Sequence, residues 1–443
     1  MGRGKRSAAR DVIRQIVGGP YRDNLYQRLD AAYTGLLACD PGAEPFSNPP
    51  SAPIKIVDMF CGCGGASAGF LAVNRALPVF EVVSAWDVDR DACSTYAQLG
   101  FEPTCDDVRT VLKDRKKMND LKRRIADGPA SILIGCPPCQ GFSAHTKVHL
   151  DAVEDRRNRL VKSFSLISAE LEPDYVFMEN VPELLSSKYR KHFKFFRGKM
   201  ESKGYRVASG VVNMAEFGLP QTRKRAIVLA SRNPIATPRP IMAGENLVTV
   251  RRAISHLPKI RAGAKNPDDP FHVTANHRKT TLDTIRAVPK DGGSRRPGLG
   301  PECLDRVRGF SDVYGRMRWD RPSVTITGSA RNPASGRYVH PDQNRGLSAR
   351  EALTLQGFPV AFSLNGSFCK KFELVGNAVP PLFAAAVAAH LIIEMAELPE
   401  MGPERPGPGR FSGGRRYEAL ELPENALKNV PVKGRHGQKT LGS

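Results

Sequence analysis

"IKIVDMFCGCGGASAGF", Ile54 to Phe70, runs from an apolar stretch through a glycine-rich turn into small residues of helical character. The first part reads as a strand. Glycines 62, 64 and 65 allow the chain to turn sharply and bring backbone N–H groups close to a ligand. Their spacing is not the Gly-x-Gly-x-x-Gly of dinucleotide folds, and such a turn also serves purely structural ends. Its surroundings give it weight. "FEVVSAWDV", "ASILIGC", "PDYVFMENV" and "AIVLAS" follow, alternating with helical stretches. That rhythm predicts an α/β fold, a mostly parallel sheet with helices on both faces. Two further strand ends carry acids, Asp87 in "WDVDRD", placed to grip ribose hydroxyls, and Asp107 in "CDDVR". Glycines and two aspartates on three successive strand ends favour an adenosine-containing cofactor over carboxylates that merely cap helices.

The chain has 443 residues, enough for two or three domains, and its 41% hydrophobic content permits a large core. The formal net charge is +21, from 66 Lys and Arg against 45 Asp and Glu, which favours a polyanionic partner, nucleic acid first. The excess is not confined to the ends, since residues 232–320 hold 17 Lys and Arg against 9 Asp and Glu. No uninterrupted apolar run approaches the ~20 residues of a membrane helix. "MGRGKRSAARDVIRQ" never gives way to a signal-peptide core, so the expectation is a cytoplasmic protein with no membrane partner. Nine cysteines, an odd number without a secretion signal, read as reduced thiols.

Five regions are expected. Residues 1–52 form a basic extension, partly helical from the spacing of Leu25, Tyr26, Leu29, Ala32, Tyr33, Leu36 and Leu37. Residues 53–231 hold the alternating strands and helices. Residues 232–343 are irregular, rich in Arg, Gly and Pro, and read as a separate small domain. Helical patterning returns in 344–397, where "LFAAAVAAHLIIEMA" predicts a buried helix too short and interrupted to span a bilayer. The tail, 398–443, is Pro, Gly and Arg rich and predicted disordered.

"GCPPCQGFS", Gly135 to Ser143, spaces two cysteines as Cys-x-x-Cys and admits three readings. Zinc would pair Cys136 and Cys139 with Cys61 and Cys63, but Cys-x-Cys is a poor chelate and lies in the turn a cofactor would fill. A dithiol redox pair has the right spacing without the Trp-Cys-x-x-Cys context. A single nucleophile suits Pro137 and Pro138, which pin the backbone after a strand end. The prolines do not say which cysteine is used.

"DMFCGCGG", "PPCQGFS", "ENV", "QTRKR", "RGLSAREALTLQGFP" and "VGNAVPP" occur in that order. With them the chain, from Ile54 to Glu397, closely resembles the cytosine-C5 DNA methyltransferases of bacterial restriction-modification type. The resemblance implies a Rossmann-like S-adenosylmethionine-dependent methyltransferase sheet, with residues 232–343 as a small irregular target recognition domain. It implies S-adenosylmethionine as methyl donor, no metal, and duplex DNA as partner. It further implies a monomer and a cognate restriction endonuclease acting separately. A tRNA methyltransferase on the same scaffold is the nearest alternative, and a zinc-dependent nucleic-acid binder a remote one.

The resemblance also assigns roles. Cytosine C5 is too poor a nucleophile to attack a methyl sulfonium, so a thiolate must first add to C6. The family's Pro-Cys-Gln makes that thiolate Cys139, with Cys136 at a tolerant position. Glu179 would hydrogen-bond or protonate N3. Of Arg223 and Arg225, one would hold the cytosine O2 and support Cys139, the other brace the carboxylate. Phe60 and the turn, Cys61, Gly62, Cys63, Gly64 and Gly65, would hold the methionine and ribose side. Asp87 would take the ribose, Val88 the adenine face, and Asp107 with Val108 the adenine edge; Asn377 would close the methionine end. Asp87 replaces a more usual Glu, and Val88 a larger apolar residue. Because a stacked base is unreachable, the cytosine must flip out. Gln140, Ser143 and Arg157, in or beside the loop after Cys139, and Thr325 in "RPSVTITG" are the implied DNA contacts.

Overall fold

The computed structural model describes residues 8, 10–15, 53–138, 158–187, 189–306 and 312–397. The expected helix near Leu25 to Leu37 and the tail 398–443 lie outside them, although Ile13 is buried in the core.

In chain order the elements are β1 (Ile54–Met59), α1 (Gly65–Val73), β2 (Phe80–Asp87), α2 (Arg90–Tyr96), β3 (Thr104–Cys105), α3 (Arg109–Lys113), α4 (Arg115–Ala126) and β4 (Ser131–Gly135). There follow α5 (Asn158–Leu171), β5 (Tyr175–Asn180), α6 (Arg190–Glu201), β6 (Arg206–Asn213) and β7 (Lys224–Ser231). The sheet order is β3-β2-β1-β4-β5-β7-β6. β1 to β5 are parallel, and β7 runs antiparallel to both β5 and β6. β1, β4, β5 and β7 are covered on both faces, which is why each reads as a nearly continuous apolar run. β6, absent from the sequence reading, is an edge strand with partly exposed residues and a Gly and Ser in its middle. It lacks the apolar signal because it buries little.

The chain continues through α7 (Val250–Ile254), α8 (Lys279–Ala287), α9 (Cys303–Arg306), α10 (Ala349–Leu355), α11 (Phe368–Asn377) and α12 (Pro381–Glu397). One face of the sheet is layered by α4, α5 and α6 through Met118, Phe164, Ile167, Phe193 and Phe196. On the other face α1 packs on α12. Gly69 makes that closeness possible, since a Cβ there would stand 2.3 Å from the Pro381 carbonyl oxygen. Phe368–Ala396 is apolar and long enough to cross a membrane by composition, but it folds as two helices whose apolar side chains are buried.

Residues 232–343 carry short helices and isolated bridges. Ile285, Val288, Val313, Tyr314 and Val339 form a small cluster of their own. Val250, Ile254, Met317, Trp319 and Ile326 instead join the core beside α1 and α12.

Candidate active site

Parallel strands that stop at one edge bring their ends together, and here the ends of β1, β2, β4 and β5 line one cavity of about 550 Å³. At β1 the chain leaves the sheet through Phe60 (φ 60°), Gly62 (φ 54°) and Gly64 (φ 89°) before α1 begins. A left-handed Phe costs about 1–3 kcal/mol and persists only where its surroundings hold it. The Cys61 N–H donates to the Trp86 carbonyl at 3.0 Å, which supplies that hold. Gly65 lies against the segment after α11, where a Cβ would stand 2.1 Å from the Val379 oxygen.

Asp87 accepts the Gly62 N–H at 2.8 Å and the Asp89 N–H at 2.9 Å, so the carboxylate at the tip of β2 also sets the glycine turn. Burial pushes its pKa up. Val88 beside it is 72% exposed, an apolar side chain left open at the cavity wall. Asp107 is held by the Arg109 side chain, with Nε at 2.8 Å from Oδ2, and this pairing keeps the carboxyl below its ordinary range. Val108 is buried, and Asn377 is exposed at the cavity's opposite wall.

Deeper lies Asp58, which the sequence reading passed over. It is 1% exposed, accepts from Ser67 at 2.6 Å, and Ser67 accepts from the Tyr96 hydroxyl at 2.6 Å. Burial, opposed by the Ser67 bond and aided by Asp87, lifts its pKa to about 7. The only sequence signal was an acid ending an apolar run.

Cys139, Gln140, Ser143 and Arg157 lie outside the described residues. The chain leading to Cys139 is pinned on two sides: Cys136 N–H donates to Met59 O at 3.4 Å, and Asn180 Nδ2 to Pro137 O at 3.0 Å. Asn180, the middle residue of "ENV", was quoted in sequence but given no role. Cys61 and Cys63 are buried, and burial raises both thiols, Cys63 to about 12. Cys63 donates to the Leu374 carbonyl at 3.6 Å.

Glu179 ends β5 inside the cavity. Arg225 Nε stands 3.0 Å from its Oε1, with side chains 15% and 10% exposed. The N–H is not aligned as a hydrogen bond, and Oε1 is left without one among the described residues. Arg223 is spent differently. At 2% exposure it donates to the carbonyls of Ile326 at 3.1 Å, Gly376 at 3.1 Å and Ala378 at 3.2 Å. Thr325 donates to Thr222 O at 2.9 Å, beside Arg223 in sequence rather than on the cavity wall. Gln221, also unassigned in sequence, bonds Gln356 Oε1 at 2.7 Å and accepts from Ile326 N at 2.8 Å.

The family described as C-5 cytosine-specific DNA methylase matches residues 54–392. The chain belongs to that family. The methylase is 35% identical over 338 residues to the Type II methyltransferase M1.HphI of Haemophilus parahaemolyticus, covering 76% of this chain and 86% of that one. It is 32% identical to the Type II methylase M.HgiDII of Herpetosiphon aurantiacus, over 75% and 93% of the two chains. Among solved structures, a protein described as a DNA modification methyltransferase encoded within an E. coli prophage superposes with a TM-score of 0.58. It is 22% identical and covers 76% of this chain and 98% of its own, a likeness of fold. The methylase is a DNA (cytosine-5)-methyltransferase.

Proposed function

We propose that the cavity at the strand ends holds S-adenosylmethionine and the flipped cytosine of a specific duplex DNA sequence side by side, with Cys139 as nucleophile. The observation that carries this reading is Glu179: a cavity-facing carboxylate beside a guanidinium, whose buried Oε1 meets Arg225 without an aligned hydrogen bond. Buried acceptors are rarely left without a partner, and those that are usually serve a ligand or a reaction. The glycine turn, Asp87, Val88, Asp107, Val108 and Asn377 would hold the cofactor, which when bound supplies an electrophilic methyl group. The site chemistry fits it: an acidic strand tip for ribose hydroxyls, an exposed apolar side chain for an aromatic face, and a turn open to backbone contact.

The thiolate of Cys139 would add to C6 and raise electron density at C5. Glu179 would bond N3 so that charge does not build on the ring, with Arg225 bracing the carboxylate. Once C5 is methylated, its proton departs to a base and the C6–S bond breaks, releasing the thiolate. Arg223, also on the cavity wall, would tie the Ile326 segment to the cofactor-side segment after α11. Residues 232–343 would read the target, and Gln140, Ser143, Arg157 and Thr325 would contact DNA near the flipped base. A cytoplasmic, nucleoid-associated monomer, working apart from a cognate endonuclease, fits a Type II enzyme.

Duplex DNA with 5-fluorocytosine at the target tests the core of this reading. Fluorine cannot leave as a cation, so elimination stalls and a denaturant-resistant adduct on the Cys139 peptide is expected. Cys139→Ser should abolish methylation and Cys136→Ser largely preserve it. An adduct on Cys136, or methylation of tRNA in place of duplex DNA, would overturn the reading.

A further inference from the structure

The positive charge of the protein is compensated unevenly. On α4, Lys117 pairs with Asp106 at 2.8 Å, Lys122 with Glu170 at 2.6 Å and Arg124 with Asp120 at 2.7 Å. At the sheet edge remote from the cavity, Glu172 takes both Lys203 at 2.7 Å and Arg232 at 2.5 Å. The stretch Ser187–Met200 is different, because it contains no acid at all. Arg190 and Lys194 on α6, and Arg159 and Lys162 on α5, are exposed. None of these four has a carboxylate partner among the described residues. Lys162 lies instead over the Phe195 ring, 5.4 Å from its centre.

Topology decides where these cations stand. β5 ends in the cavity, with Glu179, Asn180 and Val181 on its wall, and β6 runs parallel to β5. The connecting α6 therefore travels from the cavity edge to the opposite one, and Arg190 and Lys194 occupy its first half. α5 makes the same journey, from the cavity, which Leu160 in its first turn lines, to the start of β5 at the opposite edge. Neither helix has an acid in its first turn. Arg159 and Arg190, in those first turns, face helix ends that already carry positive partial charge. On the cavity side, charge is compensated where Lys117 meets Asp106 and Lys370 meets Asp89, but it is left open along the N-terminal halves of α5 and α6.

We propose that Arg159, Lys162, Arg190 and Lys194 form a rim that binds the phosphodiester backbone of the duplex flanking the target cytosine. The inference rests on duplex DNA being the substrate. It assigns sequence-independent affinity to this rim, apart from residues 232–343, because exposed Lys and Arg recognise phosphate and not base edges. Arg190→Gln/Lys194→Gln, Arg159→Gln/Lys162→Gln and a control, Lys122→Gln, separate the possibilities. The measurement is the dependence of duplex binding on salt, using duplexes of about 30 base pairs with the target central and with it scrambled. Each rim pair should reduce the slope of log K against log salt by about 2, equally on both duplexes, with cofactor affinity unchanged and the control unaffected. An unaltered slope in both rim pairs, while the wild type methylates duplex DNA, would overturn the rim alone. Loss confined to folded RNA would replace its occupant. A wild type that neither binds nor methylates duplex DNA would instead sink the reading beneath it.

Discussion

Among the described residues, two enclosed Arg–Glu pairs are built to opposite ends. Arg345 and Glu351 are each 1% exposed and joined by two bonds, at 2.8 and 2.7 Å. Glu351 also accepts the Ser348 N–H at 2.8 Å, completing the capping box of α10, and Arg345 Nε donates to the Ile260 carbonyl at 3.1 Å. Burial alone would push the Glu351 carboxyl up, but Arg345 with its two bonds, then His340, pull it down to about 2. Glu179 and Arg225 share a single unaligned approach, which leaves the approached oxygen, Oε1, without a hydrogen bond among the described residues. A saturated pair has nothing left to offer a substrate and serves only to join segments. An unsaturated one carries an uncompensated cost that binding a substrate can relieve.

The largest expected effect is on chemistry. Glu179→Gln should lower methylation by about 10²- to 10⁴-fold while the melting temperature stays near wild type. Single-turnover rates beside a thermal melt check this, and a large loss of stability would erase the contrast between the pairs. Glu351→Gln should do the reverse, costing about 3–5 kcal/mol because Arg345 is left buried and charged. Urea titration measures the loss, and the folded fraction should keep its turnover.

Two smaller effects concern pH and have opposite sign. Glu351 titrates lower in the folded protein than its ordinary 4.5, so its contribution is present above that value and lost as pH falls below it towards 2. Glu351→Gln should flatten this acid limb. Asp58 titrates higher when folded, so its contribution is complete below 3.8 and fades as pH rises to about 7. Asp58→Asn, which can still accept from Ser67, should flatten stability between those values. If the melting curves of Asp58→Asn and the wild type keep the same pH slope there, Asp58 is not the titrating group.

Five strands and the glycine turn were legible in sequence because burial on both faces writes long apolar runs, and ligand approach writes glycines. β6, an edge, wrote neither signal, and β3, two exposed residues, was legible only through the acid that closes it, Asp107. The arginines show the same limit. In sequence all those of residues 232–343 are equivalent candidates for DNA, yet Arg316 is 1% exposed. Its guanidinium is used on the carbonyls of Val288, Ile285, His340 and Gln343.

By itself the sequence determined the layered sheet, the turn that opens towards a cofactor, and the ordered motifs of a cytosine methylase, since each is written in neighbouring residues. Only the tertiary structure decided which charges are saturated and which are left open. Gln221 meets Gln356 across 135 positions, and Arg223 meets Ala378 across 155. Whether an arginine binds a carbonyl, a carboxylate or a phosphate depends on what that closure places within 3 Å of it and whether water can still reach it, and no local pattern records either.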